Sequence, residues 1–123
     1  KGVGISKSKL LAIRVCKIVH KYPQHEYMLC SFNEYCVTEL IEQRELNDIK
    51  CAIGVISAST PLGMFHHLPE IEFVSLHCDT IHEEVMDYFR NANIKVYAWV
   101  CNSPLVRQHM EHIYKVDGII CDV

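Results

Sequence analysis

The sequence predicts an α/β fold built on parallel strands. Strand-like runs that are almost wholly apolar alternate with amphipathic helical stretches, and strands of that kind belong to a sheet covered on both faces. Successive strands lie roughly 20 residues apart, the usual repeat of a (β/α) barrel and tight for a doubly wound sheet. The 123 residues hold four to five such strands with four helices. A complete (β/α)8 barrel takes about 250 residues. The chain is therefore either a small open α/β sheet or about half of a barrel.

Each element has its own warrant. Residues 7 to 22 form an amphipathic helix with Leu11, Val15, Ile18 and Val19 on one face. Lys7, Arg14, Lys17 and Lys21 take the other face, and Pro23 stops the helix. Tyr27 to Cys30 is a short apolar strand ending in Ser31-Phe32-Asn33. A second helix fits 34 to 46, with Val37, Leu40 and Ile41 inward and Glu, Gln and Arg mostly outward. Cys51 to Ile56 and Phe73 to His77 read as buried strands. Between them Pro61, Gly63 and Pro69 leave no room for a full helix. Thr80 and Glu83 have the spacing of a capping box for a helix whose stripe is Val85 and Phe89. Lys95 to Val100 is the next strand. Ser103-Pro104 then supplies an N-cap and a first-turn proline for a helix lined by Leu105, Val106, His109, Met110 and Ile113. Asp117-Gly118 turns the chain into a last strand, Ile119 to Cys121, ending on Asp122.

Composition narrows the classes of function. With 50% hydrophobic and 22% charged residues, 1–123 reads as a single α/β segment with a core of its own. A net charge of -3 lacks the clustered positive excess of a nucleic-acid binder. Unbroken apolar runs are too short to span a bilayer, and the first residues lack the apolar core of a signal peptide. The 7 cysteines are odd in number, and no pair has the two-residue spacing of a zinc knuckle or redox motif. Most of them fall in strand-like runs, where a free Cys behaves as a small buried hydrophobe, so a reducing, cytoplasmic compartment is expected. The 8 His residues are scattered, and His66-His67 lies in a proline-flanked loop, so surface histidines are expected rather than a metal site. A first residue of Lys rather than Met points to sequence upstream.

Function in parallel α/β folds gathers where strands end and the next loop begins. Those positions here are Ser31-Phe32-Asn33, Ser57, His77-Cys78-Asp79, Trp99-Val100-Cys101-Asn102 and Asp122. None of them makes a carboxylate cage, a Ser-His-Asp order, a phosphate-binding glycine loop or a cysteine nucleophile with its base. Each has a plain structural reading beside a functional one. Trp99 caps a core or meets a ligand, and His77 is a rim histidine or a site neighbour. Ser31 caps the next helix, Asn102 satisfies loop backbone and Asp117 makes a turn. Asp122, at a strand end, orients a neighbouring group.

The order of these strand ends resembles the glycerophosphodiester phosphodiesterases, which are TIM-type (β/α)8 barrels. The resemblance runs from Lys1 to Val123 and concerns the C-terminal half of that fold. Cys30-Ser31-Phe32-Asn33 resembles the family's Ser-Phe strand end, Ala52-Ile53-Gly54-Val55-Ile56 its next strand, and Val74-Ser75-Leu76-His77 a strand that some bacterial members end with His. Ile94-Lys95-Val96-Tyr97-Ala98-Trp99-Val100-Cys101-Asn102 and Val116-Asp117-Gly118-Ile119-Ile120-Cys121-Asp122 are the most similar blocks. Two departures stand in them, Cys101 for the usual Val and Cys121 for the usual Thr, and just before the first block Asn93 replaces the usual Gly. Asn is the next-best residue for a left-handed helix end.

The resemblance implies a metal-dependent enzyme of lipid metabolism that hydrolyses glycerophosphodiesters to glycerol 3-phosphate and an alcohol. It implies a divalent cation, Mg or Ca, held by carboxylates, with histidines as general acid and base. All of those residues are expected upstream of Lys1, so no catalytic residue and no metal ligand is expected in this chain. Implied substrate contacts are Lys1, neutralising phosphate charge, Phe32 and Trp99, shaping the glycerol or alcohol side, and His77 beside them. The chain alone is expected to be inactive. Its exposed sheet edges allow self-association, which leaves a non-catalytic binding or assembly module as the alternative.

Overall fold

A computed structural model describes residues 2–58 and 70–122. The proline-punctuated stretch with Pro61, Gly63, His66, His67 and Pro69 lies outside the described residues, as does Lys1. The chain divides into two units, 1–55 and 56–123. Every described strand pairing in both is parallel.

The first unit opens with helix α1 (Gly2–Lys21), which begins five residues earlier than its charge pattern indicates and ends two residues before Pro23. Its buried stripe is Ala12, Cys16 and Val19. Leu11 and Ile18, expected inward, are each 57% exposed. The helix is rotated by one residue because its packing partner is α2 (Glu34–Leu46), and the smaller Ala12 and Cys16 side chains let two helices come close. Helix α2 buries Cys36, Val37, Leu40 and Ile41, and also Glu39, which had been expected to face water. Gln43 Nε2 donates to the Glu39 carboxylate at 2.9 Å, so this carboxylate keeps a partner under cover.

Ser31 does not cap α2. The Asn33 Oδ1 takes the Cys36 N–H at 3.1 Å, while Ser31 Oγ accepts from the Asn33 N–H at 3.0 Å. Strand β1 (Met28–Ser31) runs parallel to β2 (Ala52–Ser57), with Met28 opposite Ala52 and Ser31 opposite Val55.

The second unit holds β3 (Phe73–His77), β4 (Lys95–Trp99) and β5 (Gly118–Ile119). Phe73 stands opposite Lys95, His77 opposite Trp99, and Tyr97 opposite Gly118. Residues Phe73 to Leu76 are all buried, as a strand covered on both faces requires. The last strand is shorter than Ile119–Cys121 and begins one residue earlier. Its pairing runs on through the Ile120 N–H to the Ala98 carbonyl at 2.8 Å.

Helix α3 (Glu83–Asn91) buries Val85, Met86 and Phe89. The Thr80–Glu83 capping box is not made. The chain leaves β3 through a 3-10 turn, Cys78–Thr80, and the Thr80 hydroxyl closes it by donating to the His77 carbonyl at 2.7 Å. His82 takes the N-cap position without a side-chain hydrogen bond. At the far end Asn93 adopts φ 60, the left-handed conformation its residue type suits.

Helix α4 (Pro104–Gln108) has its proline in the first turn as expected, but Ser103 makes no side-chain cap. The helix widens into a π-helical stretch, His109–Tyr114, and closes at Lys115 with φ 55. The widening breaks the expected stripe: only Met110 is buried, while Leu105 and Ile113 are 64% and 55% exposed. Among the described residues no helix is long and apolar enough to cross a membrane.

Candidate functional site

Ladder register in the second unit brings two strand ends together. His77 ends β3, Trp99 ends β4, and the two are directly paired. Their rings meet edge to face with centroids 4.9 Å apart, a favoured aromatic geometry. The indole N–H donates to the Ser75 carbonyl at 3.1 Å, which fixes the ring plane. The His77 Nδ1 accepts the Asp79 N–H at 3.1 Å, a bond that fixes the tautomer with its proton on Nε2. Both residues are half-buried, the condition of a rim that is held yet reachable.

The 3-10 turn adds two more groups. Cys78 Sγ lies 3.9 Å from Asp79 Oδ1 and 3.7 Å from the Val100 carbonyl, and Asp79 Oδ2 lies 3.7 Å from His77 Nδ1. One ligand atom from each of His77, Cys78 and Asp79 falls within 4.8 Å of the others. Beneath them Cys101 is fully buried. Burial pushes its thiol up to about 11, with the hydrogen-bonded Cys78 thiol and Cys121 adding to the shift against an opposing Arg107. Such a thiol stays protonated at neutral pH and is no nucleophile.

Beside this cluster the ends of β4 and β5 are tied. Asn102 Nδ2 donates to Asp122 Oδ2 at 3.1 Å, and the Asp122 N–H returns to Asn102 Oδ1 at 2.9 Å. Asp122 therefore anchors the chain segment after β4. Asp117 is more than a turn residue: its Oδ2 accepts the Val96 N–H at 2.8 Å.

Of the four expected substrate contacts, the structure brings His77 and Trp99 together. Phe32 belongs to the first unit, just after β1, and is 58% exposed. Lys1 lies outside the described residues. Cys78 and Asp79 were not singled out as a group that could hold a metal, although three consecutive metal-binding residue types at a strand end are a readable signal. The donor set does not fit the implied Mg or Ca, which take oxygen ligands in larger number. A cavity in the first unit is lined by Val19, His20, Tyr27, Asp48, Ile49 and Lys50 among others. It opens at the N-terminal ends of β1 and β2, the end that parallel α/β folds use for stability rather than for ligands. No family model and no curated protein matches the sequence.

Proposed function

We propose that the chain is the C-terminal half of a glycerophosphodiester phosphodiesterase-type barrel and supplies the substrate-shaping rim of a phosphoric diester hydrolase. The observation that carries this reading is the His77–Trp99 pair at the C-terminal ends of adjacent parallel strands. A glycerophosphodiester presents the C–H face of its glycerol next to an anionic phosphate. On this reading the Trp99 ring stacks against the first, and the Nε2–H of His77 donates to the second. Phosphodiester hydrolysis also needs a cation for developing charge and a proton donor for the leaving alkoxide. On this reading both come from residues preceding Lys1, so the chain binds without turning over.

Trp99 is the one tryptophan in the sequence, so intrinsic fluorescence reports on the rim alone. Titration with glycerophosphocholine should give a saturable change with a Kd on the order of 1 mM, as expected for a site that makes few contacts. His77→Ala should weaken it about tenfold while leaving the emission of the free protein folded-like. Hydrolysis should appear only when the preceding sequence is attached and Mg or Ca is present. A flat titration, together with concentration-dependent association in sedimentation velocity, would transfer the reading to a self-assembly module.

A further inference from the structure

We infer that the His77–Cys78–Asp79 turn is a binding site for zinc or a similar borderline divalent transition metal, held by an imidazole nitrogen, a thiolate and a carboxylate oxygen. This goes beyond the substrate reading, which places no metal in this chain.

Spacing is the first argument. A tetrahedral ion with bonds of about 2.3 Å to sulfur and about 2.1 Å to nitrogen or oxygen holds S and O about 3.6 Å apart, and N and O about 3.4 Å apart. The separations here are 3.9 Å for Cys78 Sγ to Asp79 Oδ1 and 3.7 Å for His77 Nδ1 to Asp79 Oδ2. These two edges run to the two different oxygens of one carboxylate, and one ligand atom of each residue lies within 4.8 Å of the others, so closing on a single ion takes a turn of the His77 and Asp79 side chains. The backbone is already set. His77 is fixed by its ladder pair, and the turn is closed by the Thr80 hydroxyl.

Donor chemistry is the second. One nitrogen, one sulfur and one oxygen suit zinc, cobalt or nickel, and exclude the hard cations. Loading releases one proton to solvent, that of the Cys78 thiol, as the sulfur–metal bond forms; the Asp79 N–H keeps its hydrogen and turns from Nδ1 to water as the nitrogen–metal bond forms. Cys101 supports the outer shell. It lies within hydrogen-bonding reach of the Cys78 sulfur. Three protein ligands leave the fourth position to water, as in open zinc sites.

Cobalt(II) titration of the chelator-treated chain tests this, because a cobalt–thiolate bond has its own charge-transfer absorption. One equivalent should bind with that band present, and zinc should displace it. Cys78→Ser should abolish the band. Asp79→Asn, at an exposed position that cannot unfold the chain, should weaken binding by at least the roughly 10–100-fold that even outer-shell losses cost. Cys30→Ser, at an exposed thiol in the other unit, should change nothing. A band that survives Cys78→Ser or disappears with Cys30→Ser would overturn the assignment, as would absence of any band. Glycerophosphocholine binding is measured separately by fluorescence without metal, so failure of one reading leaves the other standing.

Discussion

Asp117 shows how much a single side chain can hold. Its carboxylate accepts the Val96 N–H at 2.8 Å, and its own N–H donates to the Val96 carbonyl at 2.8 Å. The residue thus brackets the start of β4 from the segment that leads into β5. Replacing it with Ala leaves a buried strand's N–H without a partner, which costs about 1–3 kcal/mol. Urea unfolding of Asp117→Ala should show that loss, with Asp117→Asn closer to the parent because its amide oxygen still accepts. Equal stability of Asp117→Ala and the parent would mean water replaces the carboxylate. From sequence alone Asp-Gly reads as turn chemistry. The second bond depends on the chain having come back beside Val96, and local pattern holds no trace of it. Ser31 and Asn33 make the same point in reverse: both are good cap residues, and only backbone geometry decides that Asn33 caps and Ser31 braces.

At the scale of elements, β4 and β5 meet through a large residue over an absent one. Tyr97 stands opposite Gly118, and its ring packs edge to face on Phe73 with centroids 5.6 Å apart. A Cβ on residue 118 would run into the Tyr97 ring at Cδ1 and Cε1. Gly118→Ala should therefore destabilise by about 1–3 kcal/mol through overpacking, and the double variant with Tyr97→Ala should lose less than the sum of the two. Additive losses in that cycle would place the effect in backbone entropy rather than in the ring. Strands, turns and helix order were legible because apolar runs and proline or asparagine stops are local signals. The phase of α1 was not. Apolar residues at 10–13, 15, 16, 18 and 19 satisfy two faces equally, and the choice of Ala12, Cys16 and Val19 is made by α2. The capping box failed for a related reason: Thr80 has the right spacing, but the 3-10 turn after β3 takes its hydroxyl first.

Over the whole molecule, the site was half legible. Strand ends named His77 and Trp99, but their contact follows from register, and the neighbouring ligands follow from a turn that the helix signal obscured. The cysteines are legible at this scale in another way, because each unit has a thiol that is almost wholly shut off from water. Cys16 is 1% and Cys101 0% exposed. Burial pushes both thiols from the ordinary 9.0 up to about 11, helped at Cys16 by Cys51, Cys36 and Glu39 and at Cys101 by Cys78. Below pH 9.0 folded and unfolded chains both keep these protons, and stability is unaffected by them. Between 9.0 and about 11 the unfolded chain releases them while the folded chain does not. Stability then falls as pH rises, by up to about 1.4 kcal/mol per pH unit for each thiol. The thiol share is isolated by comparing slopes. The urea midpoint should decline less steeply between pH 9 and 11 in Cys16→Ala and in Cys101→Ala than in the parent, and least in the double variant, since sites in separate units add. Parallel slopes in all four proteins would mean that the buried thiols do not drive the alkaline loss.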